Sequence, residues 1–212
     1  MKKIFRMILA VSMICLCSAC SGEKPEASVN AFFAAIERGD SETAQSYVSP
    51  DAQGIVASLN TAASTLTEFA KAFTVSEETE KKIESFSSAV MRITYDSHSI
   101  TGTEKVSDNE YIVKVTLRSA DAQSLSNALA TLDYESKTNE FKEEIMQIMQ
   151  EKGLQEAYSE LYGRLFEYLA ESVDSIQGNI VYTDSPIQLH VVRNDQKQWL
   201  ITSIAKAEED TD

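Results

Sequence analysis

Asp96 and His98 stand two residues apart in "TYDSHSI" (Thr94 to Ile100). On an extended strand, residues two apart share a face. A carboxylate beside an imidazole is the pairing that general acid–base chemistry uses. Met91, Ile93 and Tyr95 alternate with these residues, which turns Asp96 and His98 to the opposite, water-facing side and argues against catalysis. The other histidine, His190, has Gln188 and Val192 as same-face neighbours, the setting of core-edge or surface packing. The two histidines have no i, i+4 spacing and the cysteines all lie within the first 20 residues, so no zinc-ligand set is present. No glycine-rich phosphate loop and no serine in a nucleophile elbow occurs. The expectation is therefore no catalytic residue, no metal site and no cofactor. Tyr95, Tyr111 and Trp199 remain as aromatic side chains able to line a ligand pocket. The stripe of Tyr158, Tyr162 and Phe166 reads as core or helix–helix packing, with an apolar-ligand pocket as the alternative.

The cysteines (15, 17 and 20) belong to the front of the chain, "MKKIFRMILAVSMICLCSAC". Lys2, Lys3 and Arg6 form a positive region, Met7 to Ala19 an apolar run, and small residues precede Cys20. This is the layout of a secretory leader. The run of 13 residues is short of the ~20 that a membrane-spanning helix needs. Ser18-Ala19-Cys20 resembles a lipobox, where a cysteine thiol receives a diacylglyceryl group and the chain is cut just before it. Cys17 stands where a leucine is usual, with Leu16 one place earlier. Cys15 and Cys17 suit the role less, because bulky Ile14 and Leu16 precede them. Each buried lipid methylene contributes ~0.8 kcal/mol, so two or three acyl chains, palmitate among them, would hold the protein on a membrane. The reading divides the chain into a leader (residues 1–19), a lipidated tether (20–25), one folded domain (26–206) and an acidic tail (207–212). No cysteine falls in the folded domain, so it can form no disulfide.

The chain carries 19 basic and 33 acidic residues, a net charge of −14. The leader holds three of the basic residues and none of the acidic ones, which leaves 16 against 33, or −17, beyond it. Such a surface repels nucleic acid and anionic lipid. The membrane is then a partner through the anchor alone. The acids are spread along helices, as on a solvated face.

The elements that must position these residues follow from periodicity. Val29, Phe32, Phe33 and Ile36 lie at helical spacing behind Pro25, with a stop at Gly39. Asp40 can cap a short helix with Ala44, Tyr47 and Val48. A third helix led by Asp51 carries Ile55, Leu59, Ala62, Leu66, Phe69 and Phe73. "TVSE" (Thr74 to Glu77) has the form of a capping box for a helix to about Val90. From Met91 the period becomes two, and residues 91–118 form a hairpin turning at "SDNE" (Ser107 to Glu110). Residues 121–175 read as helix with a kink near Gly153. A second hairpin, Ile180 to Arg193 and Gln198 to Ala205, closes the chain around "NDQ". The fold class is α+β: N-terminal helices packed on a curved antiparallel sheet, with a long helical segment inserted between two hairpins.

"PEASVNAFFAAIERGDSETAQSYVSPDA" (Pro25 to Ala52) resembles the first two helices of the nuclear-transport-factor-two-like, cystatin-like cone fold. "IQLHVVRNDQKQWLITSI" (Ile187 to Ile204) looks like its closing hairpin, with Lys-x-Trp-x-Ile in the last strand. Together with the lipobox, the chain is similar to small lipoproteins of Gram-positive bacteria that carry uncharacterised domains of this superfamily. The resemblance implies a cone-like domain on the extracytoplasmic side of the cell membrane. It implies no activity, because one fold hosts many functions.

Three functions suit these readings. The first is a lipid-anchored, non-enzymatic domain that binds a protein partner or a small ligand. The second is a cone-fold enzyme acting on a small extracytoplasmic molecule, which requires titratable groups inside the cone. The third is a structural envelope protein working through helices 137–175, packed either within one chain or between two.

Overall fold

The structure is a computed structural model that describes residues 24–59 and 75–207. It is α+β, as the periodicity predicts. Four strands, β1 (Tyr95–Ser107), β2 (Glu110–Ala120), β3 (Tyr182–Arg193) and β4 (Trp199–Lys206), form one antiparallel sheet in that order. Helix α1 (Pro25–Glu37) lies across its inner face. Pro25 pre-sets the first turn of α1. The helix ends in a Schellman motif, in which Gly39 N donates to Ile36 O and Asp40 N to Ala35 O, both at 2.9 Å. Gly39 takes a φ of +74°, which glycine adopts at little cost. Helix α2 (Ser41–Gln45) follows at once, capped by Asp40, whose carboxylate accepts from Thr43 N. Beyond it Val48 pairs with Ile201 and covers part of the β4 edge. A short 3₁₀ turn (Pro50–Ala52) leads into α3 (Gly54–Leu59). The expected remainder of that third helix, Ala62 to Phe73, lies outside the described residues.

The first core is filled from α1, α2, α3 and the sheet. Phe32, Phe33, Ile36, Val113, Leu189, Val191 and Ile201 are fully buried in it. At roughly 1.5–3 kcal/mol for each large side chain removed from water, this set dominates the stability of that half. A second core lies beside it. Helix α4 (Glu77–Thr94) supplies Ile83, Phe86, Val90 and Ile93. Ala128 of α5 (Ala122–Leu129), Phe166 of α7 (Leu154–Ser172), and Val173 and Ile176 of a 3₁₀ segment (Val173–Asn179) complete it. Met91 of α4 faces the first core, so one helix serves both.

Several expectations are corrected. Helix α4 does not stop at Val90 but continues to Thr94, so Met91 and Ile93 are helical core residues and β1 starts at Tyr95. The cap of α4 is Ser76, which accepts from Thr79 N, rather than Thr74. The expected kink near Gly153 is a full reversal. Gly153, at φ +94°, separates α6 (Tyr134–Lys152) from α7, and the two helices run back along each other. Arg164 of α7 holds them together with two 2.6 Å bonds to Glu144 of α6, its guanidinium over the Phe141 ring, and a further 2.6 Å bond to Glu160 lies within its own helix. Since α7 packs on both α4 and α6, these helices pair within one chain.

Gly39 also approaches α4 more closely than any side chain allows. A Cβ at this position would stand 2.2 Å from the carbonyl oxygen of Ser88. Gly39→Ala therefore meets both a left-handed backbone and a backbone clash. The variant should lose at least about 2 kcal/mol in urea unfolding. An unchanged midpoint would refute the close packing of α1 on α4.

Candidate functional site

The sequence pairs Asp96 with His98, and the structure separates them. Strand β1 carries an extra residue relative to β2 between Tyr95 and Ser97, a bulge at Asp96. His98 is then opposite Leu117, and cross-strand partners share a face. His98 accordingly points inward, onto α1, where the expectation placed it in water. Its Nδ1 lies 2.6 Å from Glu37 Oε1 and its Nε2 3.0 Å from Asn30 Oδ1, and its ring lies 5.1 Å from that of Phe33. The His98 side chain is 12% exposed and that of Glu37 24%. Asp96 stays exposed and accepts from Arg118 Nε at 3.1 Å. Arg118 also reaches Asp184 and lies over the Tyr182 ring.

This arrangement has one element of a catalytic dyad, a carboxylate orienting an imidazole. The second nitrogen, which a substrate would need, is held by Asn30. His98 is thus a tie between α1 and β1. His190 lies on the outer face opposite Ile112, half-buried with its Nε2 3.1 Å from Glu110, in agreement with its reading as core-edge or surface packing.

The aromatic candidates do not converge. Tyr111 and Trp199 meet edge to face, ring centroids 5.2 Å apart, near one end of the sheet, with Arg193 over the indole. Tyr95 lies opposite Ser119, eight residues further along β2 than Tyr111, or about 26 Å at the rise of a strand. It is buried, and its hydroxyl donates to Leu59 O at 2.7 Å. Burial pushes its pKa up to about 12. Cys20, the expected lipidation site, lies outside the described residues. Among the described residues no helix is long and apolar enough to cross a membrane.

An open groove of about 340 Å³ lies between α4 and α7, and sequence reasoning missed it. Glu78, Lys81, Lys82 and Ser85 of α4 and Glu167, Ala170 and Glu171 of α7 line it. Lys82 Nζ stands 3.2 Å from Glu78 and 3.1 Å from Glu167. Burial works against the charge on Lys82, but the hydrogen bonds to Glu167 and Glu78 outweigh it and raise the pKa. The groove owes its position to small residues. Thr79 and Ser159 are buried and share hydrogen bonds of 3.0 and 3.1 Å, and Gly163 lets α7 pass against Thr79 and the Lys82 stem. Glu78/Lys82 and Glu167/Glu171, each four apart, were the available signal, but which helix faced which was not encoded locally.

Two stability measurements test these placements. His98→Ala should cost about 2 kcal/mol, because it leaves Glu37 and Asn30 without their shared partner. Asp96→Ala should cost less than about 1 kcal/mol, as an exposed ion pair. Equal costs would refute the assignment. Tyr95 has its folded pKa raised from 10.0 to about 12, so the folded state holds the proton longer than the unfolded one. Its contribution to stability is full below pH ~10 and is lost as the pH rises toward ~12. Tyr162 and Tyr182, raised by burial, act in the same direction. Tyr95→Phe should flatten the loss of stability between those pH values, and an unaltered slope would contradict the burial of the phenol.

No protein-family model and no curated protein matches the chain. Among solved structures, the crystal structure of a "putative lipoprotein (ycdA)" from Bacillus subtilis is similar at 16% identity and a TM-score of 0.40. The match covers 82% of this chain and 51% of that one, so the chain spans about half the length of that structure.

Proposed function

We infer that the protein is a lipid-anchored domain on the extracytoplasmic face of the cell membrane, held through Cys20, and that it works by binding rather than by catalysis. The observation that carries the binding half is the inner face of the sheet. Phe32, Phe33 and Ile36 of α1 fill it against Val113, Val115, Leu189 and Ile201, all fully or almost fully buried. His98, the histidine on that face, has both ring nitrogens engaged. An enzyme with its chemistry inside the cone needs titratable groups open to a substrate there, and packing occupies that space. The nuclear-transport-factor-two-like resemblance belongs to the same reading, supported by the α1–Gly39–α2 break and by the closing hairpin at Asn194–Gln198.

The anchor half rests on Ser18-Ala19-Cys20 behind an apolar run of 13 residues. Metabolic labelling with an alkynyl palmitate analogue should mark the wild-type protein in the membrane fraction. Cys20→Ala should abolish the label and release the protein from that fraction. Retention of label by Cys20→Ala would overturn the anchor, and Cys17→Ala, which should leave labelling intact, controls for the neighbouring thiol.

A further inference from the structure

The groove between α4 and α7 is poorly balanced in charge. Glu167 and Glu171 stand four residues apart on α7, and like charges at that spacing repel. Lys82 neutralises Glu167 but is shared with Glu78, while Lys81 lies 2.9 Å from Glu77. Glu171 makes no ion pair among the described residues. A carboxylate is thus left over on the α7 wall, facing a groove whose opposite wall carries two ammonium groups. Lys82 has three N–H donors and spends two on Glu78 and Glu167. Its stem runs past Gly163 of α7, and its ammonium group stands between Glu78 and Glu167. The third N–H remains for an acceptor in the groove. Ser85 and Ala170 are small, so the backbone of a ligand can lie close to both helices.

We propose that this groove binds a small zwitterion, a dipeptide or free amino acid, with its ammonium group on Glu171 and Glu167 and its carboxylate on Lys82 and Lys81. The ligand's positive end relieves the repulsion along α7, and its negative end takes the spare donor of Lys82. A simple amine satisfies only the first, and a simple carboxylate only the second. The volume of about 340 Å³ is in the range of small-ligand sites and holds a dipeptide. The proposal rests on the reading of the chain as a binding domain and is independent of the anchor at Cys20.

The test is an NMR titration of the full-length chain in detergent micelles with alanylalanine. N-acetyl-alanylalanine, which lacks the ammonium group, and alanylalanine amide, which lacks the carboxylate, are the comparison probes. Alanylalanine should give saturable shifts at the amides of Gly163, Ser85 and Ala170, with each blocked probe at least tenfold weaker. Glu171→Gln should weaken binding at least fivefold. That side chain is exposed, so the variant keeps its fold. Lys82→Gln should do the same, with its thermal unfolding measured alongside. Absence of saturation, or blocked probes that bind as well as the zwitterion, would overturn the proposal and leave the binding-domain reading standing. Cleavage of alanylalanine, visible in its own resonances, would overturn both.

Discussion

The pairing of β2 with β3 is the constraint on which the two halves of the molecule depend. It runs from Glu110 opposite Val192 to Ala120 opposite Tyr182 without a register shift. Each of the other two pairings carries at least one bulge. The whole helical insertion, α5 to α7, lies between these two central strands. Loop-closure entropy grows only with the logarithm of length, about 0.6 kcal/mol per doubling, so a long insertion is tolerated where the strand pairing is strong. At one end the seam puts Val113, Leu189 and Val191 into the first core. At the other, Ala120 and Tyr182 border the second, and the Tyr182 hydroxyl donates to Ile93 O of α4 at 2.8 Å. A slip of one residue would reverse every inner side chain and dismantle both cores together.

Helix α4 is the second shared wall. Met91 turns to the sheet side and Phe86, Val90 and Ile93 to the helical side, an arrangement that needs apolar residues around most of its C-terminal half. That same composition hid its end from the sequence. "VMRITYD" alternates well enough to read as strand, yet tertiary burial on two sides keeps it helical to Thr94. By contrast α1, the Gly39 break, the cap at Asp40 and the turns at Ser107–Glu110 and Asn194–Gln198 were legible, because each is set by local chemistry: a proline at N1, a left-handed glycine, an Asx cap, a side chain closing its own turn.

The misplacement of His98 has a different cause. Strict alternation requires an unbroken ladder, and β1 has extra residues at Asp96, Thr101 and Val106. Each moves the residues after it to the other face. The inner set of β1 is therefore Tyr95, His98, Ile100, Thr103 and Lys105, opposite Ser119, Leu117, Val115, Val113 and Tyr111. No residue in "DSHSITGTEK" announces a bulge by type alone, Gly102 excepted. The pair that looked most like chemistry in the sequence was two residues with separate duties: Asp96 on an exposed arginine, His98 on the underside of α1.

The two halves also differ in how they are held. The sheet side is joined by close apolar packing with few polar contacts, which gives strength and leaves little room for change. The helical side adds polar contacts to its own apolar core: Ser76 N and the Thr79 hydroxyl bond to Ser159 between α4 and α7, and the Arg164 clamp joins α7 to α6. Helix α6 has no fully buried residue. Elements with little buried apolar surface open more readily than core strands and accept substitution on their surfaces. In this chain the charged groove and the exposed Met146, Met149 and Leu154 all belong to that helical side. The sheet and its covering helices thus hold most of the fully buried large side chains, while the helical layer beside them presents charged and apolar side chains at its surface.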